Sequence, residues 1–124
     1  MTRRLASAAG VVILCAALAG CGATPPQAPL AQAKKLDASL GGLSSACGLA
    51  YQVAAFAKPG TADLRSYETS ASTQARKLAS VYAANPTWIY QGETVRKIVH
   101  DSIAMLDSCG LTQAGATLRS QTRR

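Results

Sequence analysis

Three stretches of this chain repeat apolar residues at alternating steps of three and four, and that period confines it to helices that each bury one stripe. Between Leu30 and Ala57 the stripe reads Leu36, Leu40, Leu43, Cys47, Ala50 and Ala54. Gly41-Gly42 interrupts it; each helical glycine costs about 1 kcal/mol, so a kink or break is expected there. Lys58-Pro59-Gly60 closes the segment, and Thr61 is placed to cap a second helix with Asp63 in its first turn. That helix carries Leu64, Tyr67, Ala71, Ala75, Leu78 and Tyr82 and should stop at Asn85-Pro86. A third begins between Thr87 and Glu93 and runs to Cys109, with Val95, Ile98, Val99, Ser102, Met105, Leu106 and Cys109 inward and Gly110 as its C-cap. Thr112 to Gln121 is a candidate short fourth helix, and no strand pattern is evident. The expected fold is all-α: a small up-down-up three-helix bundle with an optional fourth helix.

Ahead of this body, Met1 to Arg4 supply a short positive end, and Leu5 to Ala19 form an apolar run centred on Val11-Val12-Ile13-Leu14. That is the pattern of a secretory signal peptide. Spanning a bilayer takes about 20 apolar residues, and this shorter run is interrupted by Ser7 and Gly10. It ends in Leu18-Ala19-Gly20-Cys21, which resembles the lipobox of bacterial lipoproteins, and the resemblance covers only this address. It implies removal of residues 1–20, acylation of Cys21 (diacylglycerol on the thiol, with palmitate among the attached acyl chains), export, and anchorage to a bacterial cell membrane. Gly22 to Pro29 includes Pro25, Pro26 and Pro29, which favour extended backbone and read as a tether. Fully extended, its eight residues reach on the order of 25 Å. Residues 1–20, 21–29 and 30–124 are thus expected to serve as signal, lipidated tether and helical domain.

The resemblance also settles the cysteine arithmetic. With Cys15 discarded and Cys21 committed to lipid, Cys47 and Cys109 remain, and an exported body of this size is expected to join them. Straight full-length helices would leave the two about nine residues, or roughly 13 Å, out of register, beyond disulfide reach. Either the first helix breaks at Gly41-Gly42 or near Gly48, or Trp88 to Gly92 is not helical and the third helix starts late; the second resolution is preferred. Loss of Arg3 and Arg4 with the signal lowers the formal charge from +7 to +5.

Little in the body points to catalysis. His100 is the single histidine, and Arg96 and Lys97 one turn before it place it on a solvated face; Asp101 is expected to point elsewhere. No His, Cys, Asp and Glu grouping has metal-ligand spacing, and no cofactor is implied. Ser44-Ser45 and Ser70-Ala71-Ser72 read as small surface residues rather than nucleophiles. The basic pairs Lys34-Lys35, Arg76-Lys77, Arg96-Lys97 and Arg123-Arg124 lack the interleaved aromatics of a nucleic-acid platform. Their expected partners are solvent, anionic lipid or an anionic envelope polymer.

The tether leads into the lower end of the first helix, so Lys34, Lys35, Trp88, Ile89 and Tyr90 are expected to face the membrane; Trp88 and Ile89 closing the base of the core is the competing reading. The favoured function is a lipid-anchored, non-catalytic interaction module serving an envelope protein or polymer. The alternative is a carrier or sensor of a small apolar ligand or lipid, held in the alanine-rich seams near Ala46, Ala50, Ala71 and Ala75.

Overall fold

The structure, a computed structural model, describes residues 26–56 and 62–123. The expected signal, the lipobox with Cys21, the Lys58-Pro59-Gly60 turn and the Thr61 cap lie outside the described residues. The body is mostly helical: α1 (Leu30–Phe56), α2 (Ala62–Ala84), a two-stranded hairpin β1 (Ile89–Tyr90) and β2 (Glu93–Thr94), α3 (Val95–Ser108) and α4 (Thr112–Gln121).

The apolar stripes meet in one core. Leu36, Leu43, Ala46, Cys47 and Ala50 of α1 pack with Ala71, Ala75, Leu78, Ala79, Val81 and Tyr82 of α2, and Val95, Ile98, Val99 and Leu106 of α3 join them. Each fully buried leucine contributes about 1.5–3 kcal/mol. Leu40, Leu64, Tyr67 and Met105 sit half-buried at the edge of this core, whereas Ala54, placed on the stripe by periodicity, is exposed. The fourth helix is a full partner: Leu111, Ala114 and Leu118 are completely or almost completely buried. The most extensive packing is α1 against α2 and α2 against α4, with α3 against α4, while α1 and α3 touch only slightly. α2 therefore occupies the centre.

α1 continues unbroken through Gly41-Gly42. A Cβ at Gly42 would lie 2.7 Å from Cγ of Gln74, so this glycine admits a side chain of α2 rather than ending a helix. Packing along both sides of the pair outweighs the glycine cost. The register of the cysteines is instead reconciled at α3, which starts as late as Val95. Cys47 and Cys109 are joined, with their Cα atoms 5.6 Å apart.

The hairpin corrects the expectation of no strands. Ile89 pairs with Thr94 and Tyr90 with Glu93, and the two linking residues, Gln91 and Gly92, both have positive φ (51° and 83°). That combination belongs to a two-residue type I′ turn, whose twist matches paired strands. Asn85 shapes the approach: its Oδ1 accepts from the Thr87 N–H (2.9 Å) and hydroxyl (2.6 Å). Thr94 then ends the hairpin and caps α3, accepting from the Lys97 N–H at 3.1 Å. At the other end of α3, Gly110 (φ 91°) donates to the Asp107 carbonyl and Leu111 to that of Leu106. This is the paired bonding of a Schellman motif, with Gly110 in the expected C-cap role.

Candidate functional site

The end of the body where the described chain begins is organised by Ile89. Its N–H donates to the Pro26 carbonyl and its carbonyl accepts from the Ala28 N–H, each at 2.9 Å. Gln27 thereby lies parallel to Ile89 on one side while Thr94 pairs with it on the other. Pro26 to Ala28, read from composition as tether, thus belong to the folded body. The Pro29 carbonyl accepts from Ala33, and α1 starts at Leu30.

Lys34 and Lys35 project from the first turns of α1 and are exposed, while Trp88, Ile89 and Tyr90 are each half-buried. Trp88 and Tyr90 lean on the core, so these aromatics both close the body and show an edge to solvent. The Tyr90 hydroxyl donates to Asp37 Oδ1 at 3.0 Å, fastening the hairpin to α1. Desolvation, then the hydrogen bond to Asp37 and the charge of that carboxylate, hold the Tyr90 phenol above its ordinary pKa. Sequence reasoning missed Leu30, which is 71% exposed one turn before Lys34 on the same helical face. Its position directly after Pro29, at the start of the helix, was the available signal.

Two open grooves flank α3, with opposite charge. Between α1, the hairpin and α3, a groove of about 650 Å³ is bordered by Asp37, Glu93 and Asp101 over Leu40, Ile98 and Met105. Lys97 bridges two of these carboxylates, at 3.4 Å from Glu93 and 2.6 Å from Asp101. The hydrogen bond to Asp101, then that to Glu93, raises the Lys97 pKa, and the bond from Lys97 lowers that of Asp101. On the other side, α3 and α4 enclose about 470 Å³ bordered by Arg96, His100, Arg119 and Arg123.

His100 is 85% exposed, as expected on a solvated face, yet its Nδ1 lies 3.5 Å from Asp101 Oδ1. Asp101 therefore does not point away from it as spacing implied; adjacent side chains on an exposed helical turn have the freedom to swing together. Among the described residues no three His, Cys, Asp or Glu side chains are grouped to hold a metal ion. Ser44, Ser45 and Ser70 are exposed and Ser72 half-exposed. The basic pair Arg96-Lys97 separates, Arg96 turning to Tyr82 and Lys97 to the acidic groove, while on α4 Arg119 pairs with Asp107 at 2.8 Å.

Ala46, Ala50, Ala71 and Ala75, the seam considered for an apolar ligand, lie in the core at 0–4% exposure. A further pairing invisible in sequence links α2 to α4: the Glu68 carboxylate accepts from the Ala114 N–H at 2.9 Å, at a helix whose own N-cap, Leu111, makes no side-chain capping bond. No described helix is long and apolar enough to cross a membrane. No protein family matches this chain, and neither the curated proteins nor the solved structures contain a similar one.

Proposed function

We propose that this chain is an exported bacterial lipoprotein, cut before Cys21 and held by lipid on that residue, whose helical body is a non-catalytic interaction module for an envelope protein or anionic polymer. Residues 1–20 are its signal, the residues from Cys21 its tether, and the remainder its working domain. Function resides in location and surface rather than in turnover.

The observation that carries this reading is Leu18-Ala19-Gly20-Cys21 directly after an apolar run, and its geometry follows from the pinning of Pro26 to Ala28 onto Ile89. That pinning leaves the five residues Cys21 to Pro25 between lipid and body, a reach of roughly 17 Å when extended. A body so closely held stands with its hairpin end toward the bilayer, presenting Leu30, Lys34 and Lys35 beside the edges of Trp88, Ile89 and Tyr90. Each lysine there adds about 1 kcal/mol on anionic lipid. The α3 grooves then face sideways, accessible to partners.

The test is mass spectrometry of the protein recovered from bacterial membranes. A mature chain starting at acylated Cys21 is expected, and Cys21→Ser should remain unprocessed and unacylated. An unmodified Cys21, or an N-terminus elsewhere, refutes the anchor. For orientation, Trp88 fluorescence of the unlipidated body should shift to the blue with anionic vesicles, and less so in Lys34→Gln/Lys35→Gln; an unchanged spectrum refutes docking.

A further inference from the structure

We propose that the groove between α3 and α4 binds an amphipathic anion: a phosphate or carboxylate headgroup held by Arg96 and Arg123, with its apolar part against Ile103 and Ala104. The inference stands apart from the anchor, because it rests on residues of the folded body alone.

Charge is the first argument. Asp37, Glu93 and Asp101 line the opposite groove, and only Asp107 among the carboxylates borders this one. Three guanidinium groups therefore face one carboxylate, with the side chain of His100 at the rim. Asp107 already pairs with Arg119, and among the described residues no carboxylate stands within ion-pair distance of Arg96 or Arg123. The cationic side is thus left with charge that an anion can neutralise.

Preorganisation is the second. The Arg96 guanidinium carbon lies 5.7 Å from the centroid of the Tyr82 ring, and Nη1 donates to the Tyr82 hydroxyl at 3.1 Å. The ring holds the guanidinium in place while leaving its positive charge uncancelled. Asp107, three turns further along α3, holds Arg119 at 2.8 Å and keeps it apart from Arg96. Fixing the long Arg96 side chain in advance lowers the entropy lost on binding, and a planar guanidinium matches the paired oxygens of phosphate or carboxylate.

The floor supplies the third. The half-buried Ile103 and the exposed methyl of Ala104 form its open apolar surface, over Val99 and Tyr82, which are only 3% and 5% exposed. A free inorganic anion would leave this apolar surface wet, whereas an anion carrying a short chain or ring covers it. The volume of about 470 Å³ lies in the range of small-molecule sites.

The test uses the mature chain from residue 21 with Cys21→Ser, which retains every described element. Amide chemical shifts are followed during titration with octyl phosphate, octanoate and inorganic phosphate, the amphiphiles kept below micelle formation. Saturable shifts at Val99, Ile103 and Arg119 to Arg123 are expected with at least one amphiphile, and the stronger of the two identifies the headgroup. Inorganic phosphate should bind at least tenfold more weakly. Arg96→Gln/Arg123→Gln should weaken binding at least tenfold, and Lys34→Gln/Lys35→Gln, which removes equal charge elsewhere, should change it less than twofold. Ala104→Glu, on an exposed helical position, should abolish binding with the helical spectrum unchanged. The proposal is overturned by no saturable shift with either amphiphile, by equal binding of inorganic phosphate, by equal loss in both double variants, or by Ala104→Glu binding normally.

Discussion

Opening the Cys47–Cys109 bond should cost this body a large share of its stability. The bridge closes a sequence separation of 62 residues, and for a loop of that length the chain-entropy relation gives about 4 kcal/mol at room temperature. A folded body of about a hundred residues is stable by roughly 5–15 kcal/mol, so the loss removes between a quarter and most of it. Its entropy of unfolding is near 0.2 kcal/mol/K, which converts the penalty into a fall of roughly 20 °C in Tm. The assay is thermal unfolding by circular dichroism on three samples: oxidised protein, the same protein under a phosphine reductant, and Cys47→Ala/Cys109→Ala. The reduced sample isolates the bond, because both side chains remain; the double alanine should fall slightly further, since Cys47 is only 7% exposed and its sulfur leaves a void. A reduced protein melting within about 5 °C of the oxidised one would refute the entropic reasoning.

Four smaller predictions follow from single contacts. Glu68→Ala removes the carboxylate that accepts from Ala114 at the start of α4 and should cost about 1–2 kcal/mol in denaturant unfolding; Glu68→Gln should recover part of it. Gly41→Ala meets nothing within 4 Å and should stabilise by about 0.5–1 kcal/mol, raising Tm by several degrees. In Gly115→Ala the new methyl would crowd Asp107 Oδ1, displacing an exposed side chain from Arg119; the helix-propensity gain offsets that weak pair, and the net change should stay within about 1 kcal/mol. For Tyr90, the folded state holds the phenolic proton more tightly than the unfolded chain. Its linked stabilisation is therefore complete below the ordinary phenol pKa of about 10 and lost as pH rises through the raised folded value. Ultraviolet titration should show late ionisation of the Tyr90 phenol, moved toward the ordinary value in Asp37→Asn.

The helical stripes were legible because burial follows a fixed angular period. Leu36, Leu43, Leu78, Val95, Val99 and Leu106 are all buried where spacing placed them. The late start of α3 was legible for a different reason: two cysteines out of register demanded it. The hairpin was not, since strands of two residues are too short to alternate; Gln91-Gly92 after Trp88-Ile89-Tyr90 was the available signal. Local propensity also misjudged Gly41-Gly42, because the Gln74 side chain resting there comes from another helix. The weight of α4 was underestimated for the same kind of reason: its burial and its Glu68 cap depend on α2, not on its own sequence. At the candidate site, the ties from Ile89 to Pro26 and Ala28 and from Tyr90 to Asp37 join segments more than fifty residues apart, which no local pattern announces. The split of charge across α3 was equally hidden, because it depends on which residues of α1 and α4 flank that helix.

The pairing of Pro26 to Ala28 with Ile89 also decides how the body meets mechanical load. If the chain is anchored through Cys21, drag on the body pulls at Pro26, roughly along the strand, so its two hydrogen bonds to Ile89 are sheared together rather than unzipped singly. Past them, tension can peel α1 only as far as Cys47. There it passes across the sulfur bridge to Cys109, and the long loop that contains α2, the hairpin and α3 is shielded from stretching. An anchored body built this way can yield at its base while the chain between the two cysteines is spared extension.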